Sequence, residues 1–195
     1  MTKIMPTINE LNTLRNKIEE EESRIKNLEK SLNDKIVLGL DLSKSCPGVA
    51  IISTETKKLL YVDSFKASGS LSFYGRNLEI STWLEKIINI YRPKTVILES
   101  AFMSKFGAKS NVTLLRLHGY IGHILYRKGL TLKLVTPSSS RAFLKIKPND
   151  KKTAFEWVKK NFPEADLTTF TKDNDKSDAI ILALSIFNKE KLKEY

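Results

Sequence analysis

The chain has little of what staples or anchors many proteins. One cysteine, Cys46, stands among 195 residues, together with two histidines, His118 and His123. A lone thiol excludes an intramolecular disulfide, and neither histidine is spaced to pair with it for nucleophilic chemistry. No apolar run is long enough to cross a bilayer, and no signal-peptide apolar core is visible, so an intracellular protein without a membrane partner is expected. Internal repeats and low-complexity tracts are also missing. Acidic residues are in deficit, 22 Asp and Glu against 33 Lys and Arg, giving a formal net charge of +11 and a pI near 9.6. Such an excess points to a polyanion, nucleic acid or an acidic membrane surface. Against these shortages, 41% of the residues are hydrophobic, enough for one sizeable core and a small appendage.

The charge is unevenly placed. Residues 1–34 hold six basic and seven acidic residues, so the remainder carries the whole positive excess. Any polyanion is therefore expected on residues 35–195, and the division predicted is a helical extension over 1–34 and a globular domain over 35–195. Within the extension, Leu11, Leu14, Ile18, Ile25, Leu28 and Leu32 recur at alternating spacings of three and four, with Glu21 in the one apolar slot that fails. This predicts one helix over about residues 8–33, after Pro6 and an N-cap candidate at Thr7, with a short heptad seam. The seam suits a parallel or antiparallel coiled coil between two chains. It also suits a helix folded back on its own domain.

Beyond residue 34 the period changes. "KIVLGLD", "GVAIIST" and "KLLYVDSFKA" predict three successive strands, and Pro47 and Gly48 mark the first turn between them. Leu78, Trp83, Leu84, Ile87, Ile88 and Tyr91 then fall at helical spacing and Pro93 ends that element. "TVILES" reads as a short buried strand, "NVTLLRLHGYIGHILYRKG" as a helix and "LTLKLVTP" as a fifth strand, followed by helical patterns in "PNDKKTAFEWVKKNF" and "KSDAIILALSIFNKEKLKEY". The order predicts an α/β fold: a mixed five-stranded sheet, antiparallel first and parallel later, flanked by helices.

The acids carry the chemistry. Asp41 closes the first strand, Glu99 closes the fourth, and Asp173, Asp175 and Asp178 open the last helix. In a mixed sheet the first and fourth strands can be parallel neighbours, which sets Asp41 beside Glu99 at the carboxyl ends where α/β sheets commonly bind ligands. Asp175 and Asp178, an i and i+3 pair, would join them. Singly, each acid has an ordinary use as a turn former, a strand-end residue or a helix cap. Together they would repel unless a metal neutralised them, and hard oxygen donors suit Mg²⁺ or Mn²⁺, two of which can activate water and stabilise a leaving oxygen at a phosphodiester.

Three stretches, "DLSKSCPGVAII", "ESAFMSKFGAKSNVTLLRLHGYIGHILY" and "DKSDAIILALS", together resemble the RuvC-type Holliday junction resolvases, a branch of the RNase H-like (retroviral integrase) superfamily, over about residues 36–188. The middle stretch is the most specific: a metal-binding Glu, an aromatic–Met pair three residues on and a helix with small residues, matched by Glu99, Phe102, Met103, Gly119 and Gly122. The chain departs from bacterial members in having Ser43 where Gly is frequent and Asp175 where His is frequent, and its all-carboxylate set is more similar to the phage and poxvirus branch.

The resemblance implies an RNase H-like domain that resolves four-way DNA junctions by paired symmetric nicks. It implies Asp41, Glu99, Asp175 and Asp178 as catalytic metal ligands for Mg²⁺, with Mn²⁺ able to substitute and two ions per active site. Phe102 would lie near the exchange point, and the partners would be branched DNA and a second copy of the chain. With it, Lys105, Lys109, Arg141, Lys145, Lys147, Lys151 and Lys152 are assigned to DNA phosphates, where charge alone would leave a solvated loop. His118 and His123, five apart, face different sides of their helix. Trp83 and Trp157 lie on apolar stripes and are expected in the core, and Cys46 is given no catalytic role. Two rivals share features of this pattern: a related nuclease acting on RNA/DNA hybrids or other branched DNA, and an actin-like nucleotide-binding module suggested by "DLS" followed by "GVA".

Overall fold

The computed structural model describes residues 8–33, 35–100, 108–142, 144–147, 150–188 and 192–194. The first element is one helix, α1 (Ile8–Asn33). Pro6 and Thr7, expected at its start, lie outside the described residues. Its seam residues Leu14, Ile18 and Ile25 are 53%, 58% and 54% exposed. At these three positions the seam is open to solvent in the single chain.

The sheet follows as β1 (Ile36–Asp41), β2 (Gly48–Ser53) and β3 (Leu59–Ser64), then β4 (Thr95–Glu99) and β5 (Thr131–Val135), in the spatial order β3-β2-β1-β4-β5. β1 pairs antiparallel with β2, and β2 with β3, while β1–β4 and β4–β5 are parallel. This is the mixed five-stranded arrangement that the sequence predicts. A two-residue strand, β6 (Lys193–Glu194), adds antiparallel to the β5 edge.

Strand alternation sends successive side chains to opposite faces and so builds two cores. On one face Leu38, Leu40, Val49, Ile51, Val96 and Leu98 meet α2 (Phe73–Tyr91) and α3 (Ala108–Arg127) through Ile80, Leu84, Leu117 and Ile121. Trp83 packs against this core, stacked on Phe65 with ring centroids 5.5 Å apart. On the other face Ala50 and Ile52 meet α5 (Lys151–Asn161) and α6 (Phe170–Leu184), with Trp157 at the margin, and Val37 and Ile97 meet Leu182 of α6. Each fully buried Leu or Ile contributes about 1.5–3 kcal/mol relative to exposure, so residues such as Leu38, Ile51 and Ile97 fix the strand register.

The helix boundaries have local causes. The Ser72 hydroxyl accepts from the Gly75 amide at the start of α2, and Arg92 turns into the left-handed region at its end, ahead of Pro93. At α5 the Asp150 carboxylate accepts from the Thr153 amide at 3.0 Å. A short helix absent from the sequence prediction, α4 (Pro137–Ala142), follows β5 directly; proline opens it, the position where a missing amide costs nothing.

Two glycines decide where α6 lies. A Cβ on Gly39 of β1 would collide with the Ala179 carbonyl and come within 2.9 Å of the Ala183 Cβ, and one on Gly48 would collide with the Asp175 carbonyl. Bare backbone on the strands and small residues on the helix let α6 rest directly on β1 and β2.

Candidate active site

In the parallel β1–β4 ladder Val37, Leu38, Gly39 and Leu40 oppose Thr95, Val96, Ile97 and Leu98. The next pair in that register is Asp41 and Glu99. Both share parity with Gly39 and Ile97, whose face is covered by α6. The two carboxylates therefore leave the strand ends on the α6 side. On α6, Asp175 and Asp178 precede Ala179, Leu182 and Ala183 along the same stripe, and the Asp175 backbone sits over Gly48, the partner of Asp41 across β1–β2.

The electrostatics follow from this crowding. Asp41 is held well above the ordinary carboxylate range, first by burial and then by Asp178, Glu99 and Asp175, with Lys151 partly opposing. Glu99 is raised by burial and by Asp178, against Arg141 and Lys151. Asp175 is raised mainly by burial, a hydrogen bond from Cys46 working the other way. Asp178 is buried, and its two oxygens accept from the Arg141 guanidinium at 3.3 Å and the Lys151 ammonium at 3.0 Å. Burial alone would lower the Lys151 pKa, but Asp178 and Asp41 keep it above its usual value. Two cations thus balance part of a cluster of four carboxylates.

The structure separates Asp173 from the other acids. Its Oδ2 accepts from the Thr168 amide at 2.8 Å and hydroxyl at 2.7 Å, and its Oδ1 pairs with Lys176 at 3.1 Å. Burial would raise its pKa, yet these donors bring it down to about 2. Asp173 anchors the entry to α6. Asp173→Ala is expected to cost roughly 2 kcal/mol of stability, since charged hydrogen bonds are lost and the Thr168 amide loses its partner, while junction cleavage by the folded fraction is unchanged; thermal melts beside single-turnover assays check this.

Other expected residues fall as follows. Phe102, Met103 and Lys105 lie outside the described residues, and Lys109 falls in the first turn of α3. Lys145, Lys147 and Lys152 are exposed near Asp150 and α5, in reach of solvent phosphate. Arg141, assigned to DNA phosphates with the resemblance, is only 4% exposed and pairs with Asp178, carried there by the unpredicted α4 off the end of β5. Lys151, assigned to phosphates by sequence, also reaches the acids. Cys46 was missed: its thiol donates to Asp175, and its amide donates to the Ser43 hydroxyl at 2.8 Å, closing the loop after Asp41. Its position five residues after the strand-end acid was the available signal. Burial lowers the His118 pKa and leaves that residue a packing role.

As a donor set, four carboxylates fit a hard divalent cation by chemistry and by the surplus of buried negative charge. Among the described residues no group of three acids, histidines or cysteines is already gathered for ligation; Asp178 is engaged by Arg141 and Lys151 instead.

Known proteins share this fold. Thermus thermophilus RuvC in complex with Holliday junction substrate superposes with a TM-score of 0.68 at 16% identity, over 82% of this chain and 99% of that one. The fowlpox virus Holliday junction resolvase gives 0.51 at 18% identity, over 80% and 99%. The yeast mitochondrial Holliday junction resolvase gives 0.53 at 13% identity, over 77% and 76%. No curated protein matches the chain in sequence. The profile of the family described as crossover junction endodeoxyribonuclease RuvC matches residues 37–186, which span every strand from β1 to β5 and all four acids. With more than half of its length so matched, the chain belongs to the RuvC family of crossover junction endodeoxyribonucleases, nucleases that resolve Holliday junctions.

Proposed function

We propose that Asp41, Glu99, Asp175 and Asp178 are the catalytic metal ligands of a Mg²⁺-dependent resolvase that cuts four-way junctions by paired, symmetric nicks. The observation that carries this is the meeting of strand-end and helix-start carboxylates on one face of the sheet, with Arg141 and Lys151 balancing Asp178. Two divalent ions bound there, Mg²⁺ or Mn²⁺, would supply an activated water and charge stabilisation at the departing oxygen.

The chain's own groups do the rest. Asp41 and Glu99 are fixed by adjacent strands, so their separation is set by the sheet. Arg141, buried against Asp178, orients that carboxylate. Lys151 touches Asp178 while its side chain is 51% exposed, which lets one ammonium serve the acid and an arriving phosphate. Lys145, Lys147 and Lys152 supply backbone contacts that carry affinity without base recognition, and Lys105, Lys109 and Phe102 are assigned to the same DNA. Residues 35–195 form the nuclease domain, residues 1–34 the helical extension, and the protein works in an intracellular compartment. Two opposed nicks need two active sites related by a two-fold axis, so the working form is a homodimer.

Lys151→Gln separates these roles. Loss of a group supporting a metal ligand typically costs about 10–100-fold in activity, so cleavage at saturating DNA is expected to fall by that much, and the lost phosphate contact to lower the salt slope of binding by about 1 as well. Lys152→Gln should leave the rate at saturating DNA intact and lower the salt slope of binding by about 1. The proposal itself is tested on a supercoiled cruciform plasmid with Mg²⁺ and with EDTA: linear product from paired cuts within one binding event is expected with Mg²⁺ alone. Cleavage that persists in EDTA would overturn the metal assignment.

A further inference from the structure

From α1 we infer that two copies of this chain join through a parallel, in-register, two-stranded coiled coil; this builds on the homodimer proposed above and specifies helix direction and register. Three observations carry it. First, the seam is open: Leu14, Ile18 and Ile25 are each more than half exposed on a helix of 26 residues. Solvent-exposed seam residues spaced three and four apart need a partner helix to be buried.

Second, seam composition selects strand number. By heptad position Leu11, Ile18, Ile25 and Leu32 take the a sites and Leu14, Glu21 and Leu28 the d sites. Ile at the central a sites with Leu at d favours two parallel strands.

Third, the flanking charges select direction. In a parallel in-register pair each g residue faces the e residue five positions later on the other chain. Those pairs are Glu10 with Arg15, Lys17 with Glu22, and Arg24 with Glu29, opposite in sign in all three cases. In an antiparallel pair g sites face g sites, so the basic g residues Lys17 and Arg24 come against each other or against a copy of themselves. Like-charge contacts between g residues would replace attractions. The Glu21 mismatch is softened on its own helix, where Arg24 lies 3.5 Å from its carboxylate. A parallel coil sends both chains out at the same end, directly before β1, which suits two nuclease domains sharing one two-fold axis.

The test uses full-length chains with a single added cysteine, Leu14→Cys at a d site or Ile25→Cys at an a site, under mild oxidation, beside the unsubstituted chain as a background for Cys46. The inference predicts that each variant cross-links to itself. Cross-linking only when the two variants are mixed would mean an antiparallel pair and would overturn it. Charge exchange gives a second reading: Lys17→Glu should weaken dimerisation about tenfold, adding Glu22→Lys should restore it, and Glu21→Leu alone should tighten it, all by analytical ultracentrifugation. If the chain sediments as a dimer but neither cysteine variant cross-links, the coil fails while the homodimer stands. A monomer at all concentrations would sink both.

Discussion

Asp41→Asn is expected to abolish junction cleavage while leaving junction binding equal or tighter. Asp41 occupies the centre of the acid cluster, pushed up by burial and by three other carboxylates. An amide there keeps the shape of the side chain but removes a hard anionic ligand, so the fall is set at about 1000-fold or more, some 4 kcal/mol of barrier at 1.36 kcal/mol per tenfold. Binding moves the other way, because one fewer negative charge faces the phosphates. Glu99→Gln, from the neighbouring strand, should behave alike. Single-turnover cleavage with saturating enzyme, run beside gel-shift titrations in Ca²⁺, measures both quantities. Normal turnover by Asp41→Asn would remove that residue from the site.

The second large effect comes from a residue with no functional group. Gly39→Ala should destabilise the fold by about 3 kcal/mol, the upper end for overpacking, or roughly 6–12 °C in melting temperature. The new methyl meets the Ala179 carbonyl, a backbone atom that cannot swing aside, and Ala183 behind it. α6 would have to lift, and with it Asp178 and the Leu182 contact to Ile97. Activity should therefore fall even below the melting transition. The same substitution at Gly119 gives the contrast: nothing lies within 4 Å of its Cβ position on α3, so Gly119→Ala should stabilise by about 0.5–1 kcal/mol. Equal melting temperatures for Gly39→Ala and the unsubstituted chain would contradict the seating of α6 on β1.

These two residues also mark how far the amino-acid pattern reaches. Asp41 and Glu99 were legible because apolar runs of strand length ended on acids, and the strand order that makes them neighbours follows from antiparallel strands preceding parallel crossovers. The choice between Asp173 and Asp175 was not legible. It depends on the rotation of α6 about its axis, which Gly39, Gly48, Ala179 and Ala183 set through contacts between residues more than 120 positions apart. Arg141 is assigned to DNA phosphates with the resemblance, and its burial against Asp178 rests on α4, a helix the sequence pattern does not show. The seam of α1 was plain in the sequence. The pattern alone does not say which of its positions meet solvent, which the exposures of Leu14, Ile18 and Ile25 give for three of them.

The rival substrate readings differ in the nucleic acid cut, since the same four acids would serve any of them. A hybrid-specific nuclease needs a ribose 2′-hydroxyl on the cut strand, whereas a resolvase needs the branch. The most direct measurement is cleavage of three end-labelled substrates at equal concentration with Mg²⁺: a mobile four-way DNA junction, a linear duplex of the same sequence and an RNA/DNA hybrid. The account predicts symmetric cuts near the exchange point of the junction, with duplex and hybrid intact and with all cutting lost in Asp41→Asn. Cleavage of the hybrid in preference to the junction, or junction cutting undiminished in Asp41→Asn, would contradict it.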